Sequence, residues 1–343
     1  MSTHPEPSGT APASGAVTSD STLLSVEDLR ISFPARDGVR ERVDVLQGVS
    51  FSLRRGEALA LVGESGSGKT MTARTLIGLL PPTARIDSGQ VTLDGQDLMS
   101  LSRRQWLKVR GGLIGTVFQD AMSGLDPVRT IGSLLMESIR LHSSISRRAA
   151  CAQAIEVLGL VGIPKPAERL RAYPHQLSGG QRQRVMIALA IVTKPPLVIA
   201  DEPTTALDAT IQAQILELLR TDLGSSSLII ITHDLGVAAS IADRTAVMYA
   251  GRIVEYSSTT EVLERPRHPY TVGLLQAAPA FSRERRPLRP IPGTPPRPQD
   301  LGASCAFAPR CPWAQDDCRS LIPDVARIGG HEHACLHPVE ESV

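Results

Sequence analysis

The residues best suited to chemistry form three groups along the 343-residue chain. The first is Gly63-Glu64-Ser65-Gly66-Ser67-Gly68-Lys69-Thr70. Glycines at this spacing let consecutive backbone N–H groups turn inward and cradle phosphate oxygens. Lys69 then reaches the outer phosphates as a point charge, and the Thr70 hydroxyl is placed to ligate magnesium. The second group is Asp201-Glu202, at the end of the apolar run Leu197-Val198-Ile199-Ala200. Asp201 reads as the second protein contact to magnesium, through water, and Glu202, one residue on, as the general base that polarises an attacking water. The third is Leu177-Ser178-Gly179-Gly180-Gln181, in which Ser178, Gly179 and Gly180 open a helical run through Gln181 to Ala190. Free N–H groups at such an N-terminus face an anion. The three groups together describe phosphoryl transfer.

Elements that position these groups are legible around them. Ala58 to Val62 is a nearly continuous apolar run suited to a buried parallel strand, and the phosphate loop follows it directly. Met71, Ala73, Leu76, Ile77 and Leu80 recur at helical spacing after the loop, and Pro81-Pro82 is expected to stop that helix. Leu24 to Phe33, Leu197 to Ala200 and Leu228 to Ile231 read as further strands, so the chain is expected to be α/β, with chemistry at the carboxyl ends of its strands. Between them, Val128 to Arg184 looks helical and reads as an inserted helical subdomain. Residues 1–22, rich in Ser, Thr, Pro, Gly and Ala, are expected to be a disordered tail. Prolines crowd between Pro279 and Pro298, predicting an extended connector, and Cys305, Cys311, Cys318 and Cys335 follow it with the spacing C-x5-C-x6-C-x16-C. Lone Cys151, in a helical stretch, reads as a packing residue.

Composition removes several classes of function. Hydrophobic residues make up 42% and charged residues 21%, ordinary for a globular protein, and 36 basic residues against 35 acidic leave a net charge of +1. No global electrostatic attraction to nucleic acid or an anionic membrane follows. No apolar stretch approaches the roughly 20 residues that cross a bilayer; Val185 to Val192 comes nearest, before Lys194-Pro195-Pro196. Met1 to Thr22 carries Glu6 and Asp20 where a secretory leader needs a basic and then an apolar region, so the chain is expected in the cytoplasm.

The ordered set, with Leu177 to Gln181 about 110 residues after the loop, resembles the ABC-type ATPases, and the likeness spans about Leu23 to Glu264. It implies a P-loop NTPase fold of the ABC nucleotide-binding type over 23–265, with a helical subdomain at about 120–184, and ATP with Mg2+ as ligands. It adds Gln119 as the residue that touches magnesium and the attacking water. It adds His233, after Ile229-Ile230-Ile231-Thr232, as the histidine that contacts the γ-phosphate, and Phe33 as the aromatic that stacks on adenine. On their own residues, His233 reads as a strand-end surface histidine and Phe33 equally as core. Ala206-Leu207-Asp208 matches the segment at the dimer interface. In the family two such subunits sandwich two ATP molecules, each between one subunit's Gly63 to Thr70 equivalent and the other's Ser178 to Gln181 equivalent.

A closer resemblance rests on Val62 to Lys69, Phe118-Gln119-Asp120, Ala200 to Asp208, His268-Pro269-Tyr270-Thr271 and Ile291-Pro292-Gly293. These look like the ATPase subunits of dipeptide, oligopeptide and nickel importers, in which 266–343 would be the Pro-rich linker and Cys-rich C-terminal domain. The chain departs from that pattern where Ala121-Met122 and Leu125-Asp126-Pro127 replace Pro-Met and Leu-Asn-Pro, in a segment that contacts the membrane subunits. The resemblance implies a [4Fe-4S] cluster at Cys305, Cys311, Cys318 and Cys335, acting as a staple for a small lobe. Zinc is the alternative, with His331, His333 or His337 replacing a thiolate, and disulfides are disfavoured in reducing cytosol. Substitution of Cys311 by Ser is expected to lower stability or assembly before it affects nucleotide chemistry.

Implied partners are two transmembrane permease subunits, a second ATPase (a paralogue in preference to a second copy), and an extracytoplasmic substrate-binding protein without direct contact. The expected place is the cytoplasmic face of the membrane, peripherally, powering import of di- or oligopeptides. Nickel or another small solute is the alternative cargo. A soluble ABC ATPase working on nucleic acid is the contrasting class; one cassette, a modest helical insertion and no basic excess speak against it.

Overall fold

The computed structural model describes residues 22–34, 42–120, 124–204, 208–221, 223–281 and 289–340. Most of the expected tail, with Ala121, Met122, Ala206 and Leu207, lies outside them. The first half of the chain runs β1 (Thr22–Pro34), β2 (Arg42–Arg54), β3 (Ala58–Val62), α1 (Lys69–Leu76), β4 (Arg85–Leu93), β5 (Gln96–Asp97), α2 (Arg103–Val109) and β6 (Ile114–Val117). Helices α3 (Ile131–His142), α4 (Arg147–Leu160), α5 (Pro166–Arg169) and α6 (Gly179–Ile191) separate β6 from β7 (Leu197–Asp201). Then come α7 (Ala209–Thr221), β8 (Ser227–Thr232), α8 (Leu235–Ile241), β9 (Arg244–Tyr249), β10 (Arg252–Ser258), α9 (Thr259–Glu264) and α10 (Pro269–Ala277). A hairpin of β11 (Ala326–Ile328) and β12 (His331–His333) follows near the end.

Eight strands form the main sheet in the order β11-β12-β10-β9-β3-β8-β7-β6, and the stretch from β9 to β6 is parallel. Both faces of those parallel strands are covered, as their uninterrupted apolar sequences require. Alternation divides them cleanly. Leu59, Leu61, Ile199, Ile229 and Ile231 face a core shared with α1 and with the antiparallel sheet β2-β1-β4-β5. Ala60, Val198, Ala200, Leu228 and Ile230 face a core built with α3, α4, α6 and α7. Cys151 packs against this second core, as a packing residue should.

Two boundaries differ from expectation. Helix α1 ends at Leu76 rather than at Pro81-Pro82, because Gly78 takes φ +62° and its N–H, with that of Leu79, caps the carbonyls of Thr75 and Arg74. A Cβ at Gly78 would lie 2.5 Å from the Trp106 ring, so both conformation and space require glycine there. Helix α6 reaches Ile191, in keeping with the helical run expected through Ala190, and so carries the helical stretch past Arg184, where the subdomain was expected to end; Val185, Ile187, Ala188 and Ile191 continue its buried face.

The C-terminal hairpin continues the main sheet: β12 pairs antiparallel with β10, Glu255 opposite His333. A third core links this end to the cassette, with Val62, Tyr249, Tyr270, Leu275 and Phe307 in contact.

Candidate functional site

The predicted residues gather where parallel strands end. The loop 63–68 leaves β3, Gln119 lies just past β6, Asp201 closes β7 and His233 follows β8. These strands are neighbours in the sheet, so one crevice receives all four.

The loop is already wound around its lysine. The Lys69 ammonium donates to the carbonyls of Gly63 at 2.7 Å and Glu64 at 2.9 Å. Gly63 adopts φ +153°, and a Cβ there would stand 2.2 Å from the Met248 carbonyl oxygen. Burial lowers the Lys69 pKa, opposed by the charges of Glu202, Asp201 and Glu64. The Thr70 hydroxyl hydrogen-bonds the Asp201 carboxyl, while burial and then Glu202 push that carboxyl's pKa up. Asp201 Oδ1 is buried and has no hydrogen-bond partner. An orphaned, desolvated carboxylate oxygen next to a threonine hydroxyl is a donor set suited to a hard divalent cation.

Glu202 is held from two sides. Gln119 Nε2 donates to its Oε2 at 3.0 Å, and His233 Nδ1 stands 3.3 Å from its Oε1. Its backbone takes φ +46°, unusual outside glycine, with its N–H bonded to the Ile231 carbonyl. The three residues meet at one carboxylate.

Phe33 is half-buried and packs against the core under the antiparallel sheet, opposite Val43 in β2. Leu46, further along β2, abuts Gly68. That sheet therefore borders the loop, and Phe33 is partly buried against its core.

Ser178, Gly179, Gly180 and Gln181 are engaged locally. Ser178 caps α6 in a reciprocal box: it accepts from the Gln181 N–H at 3.3 Å while the Gln181 side chain accepts from the Ser178 N–H at 3.2 Å. No hydrogen bond joins them to the phosphate loop among the described residues. Asp208 likewise turns to its own helix, accepting from the N–H groups of Thr210 and Ile211.

The four C-terminal cysteines are free and line one cavity, with His268, Phe307 and His337 beside them. Burial pushes up the pKa values of the Cys305, Cys311 and Cys335 thiols, that of Cys335 to about 12, and the neighbouring thiols add to each rise. Backbone N–H groups point at the same sulfurs: Phe307 and Ala308 at Cys305, Trp313 at Cys311, His337 at Cys335. His331 and His333 do not join the set. His331 Nε2 lies 2.7 Å from Glu255, and both histidines are buried beside that carboxylate on the sheet edge. His337 does approach, in a group with Asp317 and Cys318 whose ligand atoms lie within 4.8 Å of one another.

Sequence reasoning passed over what stands behind the loop. The Glu64 N–H donates to Tyr270 Oη at 2.8 Å, and its carboxylate is gripped by Arg310. The signal was a glutamate at a position where the pattern demands no particular residue.

Comparison with known proteins identifies the family. Residues 46–205 match the family model described as ABC transporter, and residues 254–318 the model described as oligopeptide/dipeptide transporter, C-terminal region. An oligopeptide transport ATP-binding protein of Salmonella typhimurium is 44% identical over 93% of this chain and 95% of its own length. A dipeptide transport ATP-binding protein of Bacillus subtilis is 46% identical over 91% and 94%. The chain spans only 52% of the length of the Mycobacterium tuberculosis oligopeptide transport ATP-binding protein, to which it is 47% identical. Among solved structures, the ATP-binding cassette MJ0796, a dimer in a post-hydrolysis state with ADP and Pi, superposes with a TM-score of 0.62. It is 26% identical and matches over 69% of this chain and 99% of its own. With these likenesses over nearly its whole length, the chain belongs to the ABC transporter ATP-binding proteins, in the oligopeptide and dipeptide transport group.

Proposed function

We propose that this chain binds and hydrolyses ATP to power an importer of di- or oligopeptides. The observation that carries the reading is the Glu202 carboxylate, held by Gln119 and His233 beside a wound phosphate loop. In that arrangement Lys69 leaves its loop carbonyls for the β- and γ-phosphates. Glu202 accepts a proton from the attacking water, Gln119 orients that water, and His233 contacts the γ-phosphate. Thr70, Asp201 and Gln119 would hold Mg2+, which supplies neutralisation of the charge developing on the transferred phosphoryl group. Ser178, Gly179, Gly180 and Gln181, joined to the phosphate loop by no hydrogen bond among the described residues, serve the ATP of a second subunit, with Asp208 near the seam. That second subunit is a paralogue in preference to a copy. Helices α3 to α6 form the subdomain that meets two membrane permeases, and an extracytoplasmic binding protein delivers cargo without touching this chain.

No helix among the described residues is long and apolar enough to cross a membrane. The position proposed for the chain, from its likeness to transporter subunits, is peripheral, at the cytoplasmic face of the membrane. Cys305, Cys311, Cys318 and Cys335 would hold a [4Fe-4S] cluster: thiols at least partly buried, with ionisation of Cys305, Cys311 and Cys335 opposed by that burial and N–H donors aimed at their sulfurs, suit a cationic iron core. Its role is structural, and iron with acid-labile sulfide in protein purified without oxygen checks it against zinc.

The function is tested by mild detergent extraction through a tag on this chain, followed by assay of ATP-driven uptake of labelled short peptides in vesicles. Co-purification of two multispanning subunits and a second ATPase, with peptide uptake, is expected. A soluble homodimer carrying nucleic acid overturns the transport reading.

A further inference from the structure

Glu64 is the second residue of the phosphate loop, and its backbone and side chain serve different neighbours. Its carbonyl accepts from Lys69 Nζ and from the Ser67 N–H, inside the loop. Its carboxylate is bound bidentately from outside, with Arg310 Nη1 to Oε2 at 2.6 Å and Nη2 to Oε1 at 3.0 Å. Arg310 belongs to the short turn Ala308–Arg310, between Cys305 and Cys311. Its side chain is 5% exposed. Its remaining contacts fix the fork, with Nε on the Pro292 carbonyl at 2.9 Å and Nη1 also on Tyr249 Oη at 3.3 Å. Tyr249, Tyr270 and Phe307 pack ring against ring beneath it, centroids 4.6 to 5.4 Å apart.

We infer that Arg310 is a positioning residue for the phosphate loop, through which the C-terminal lobe sets the affinity of the chain for ATP. A loop binds phosphate only where its N–H groups converge within hydrogen-bond distance, so an anchor on its second residue governs the fit of those that follow. A planar guanidinium with both nitrogens engaged fixes the carboxylate in angle as well as distance, which a lysine cannot do. Tyr270 holds the N–H of the same residue, and the two anchors come from segments that meet only in the folded molecule. The inference rests on the reading of Gly63 to Thr70 as the ATP site.

The test is equilibrium binding of a fluorescent ATP analogue with Mg2+ to the full chain, comparing wild type, R310Q, E64Q and the double variant. Each single substitution is expected to raise Kd about tenfold with unchanged stoichiometry, and the double variant to match a single one, because both remove the same contact. Unchanged Kd in both single variants overturns the inference. So does a double effect equal to the product of the single effects, or a fall in stoichiometry at constant Kd, which marks simple loss of folded protein. Should R310Q fail to fold, R310K and E64Q carry the comparison: the lysine keeps the charge without the fork, and Glu64 is partly exposed. Absence of binding by the wild type overturns the ATP reading itself.

Discussion

Glu202 sits in a left-handed backbone conformation that few residues other than glycine occupy, and strain of this kind persists only where surrounding contacts over-determine it. Here its N–H is fixed to Ile231 and its carboxylate to Gln119 and His233. The side chain is thereby aimed into the crevice rather than along the strand. Glutamine fills the same space and keeps the hydrogen bonds but cannot accept a proton. Glu202→Gln is therefore expected to slow hydrolysis by at least about a hundredfold while ATP binding is retained. Phosphate release measured beside nucleotide retention checks this, and hydrolysis at the wild-type rate would move the base to another group. The identity of Glu202 was legible from its place one residue after a strand-end aspartate. Its backbone strain and the pairing with Gln119, 83 residues earlier in sequence, were not, since neither leaves a local pattern.

At the scale of elements, legibility followed the continuity of apolar runs. Strands β3, β7 and β8 are buried on both faces and read as unbroken hydrophobic segments, so their sequences announce them. Strand β2 pairs with β1 through several register shifts, which break the alternation that would have revealed it. Strand β12 is His331-Glu332-His333, polar throughout, and is a strand only because β10 offers it an edge and Glu255 a partner. Helix α6 was visible because its N-terminal box, Ser178 with Gln181, precedes a dense apolar run. That box bears weight within the subunit whatever its role toward a partner. Ser178→Ala should lower the stability of the isolated chain by about 1 kcal/mol. Denaturant titration reads the change; a variant as stable as wild type would show that the buried face of α6 alone holds the helix.

For the whole molecule, the surprise is how little separates the C-terminal lobe from the cassette. A Pro-rich connector and a cysteine set suggested an appended module, and Cys311→Ser was expected to lower stability or assembly before it affected nucleotide chemistry. Yet Arg310, next to Cys311, reaches the phosphate loop, so damage at that cysteine should also weaken ATP binding. His268 stands where the two parts join. It caps α10 by accepting from the Tyr270 N–H at 3.0 Å, its ring lies 5.8 Å from that of Phe307, and it is bonded to the Ala334 backbone. Acceptance at Nδ1 requires the neutral imidazole. Burial pushes its pKa from 6.5 down to about 4, with the Glu255 charge opposing and His333 reinforcing the shift. The unfolded chain therefore takes up this proton at a higher pH than the folded one. Stability from this group is complete above about pH 6.5 and falls as the pH drops toward 4, by up to about 3 kcal/mol. Asparagine retains a capping acceptor and does not titrate, so His268→Asn should lose some packing at neutral pH but flatten the fall between pH 6.5 and 4. Melting temperatures across that interval decide it. If the variant's profile runs parallel to that of wild type, the joint between lobe and cassette is not where acid acts.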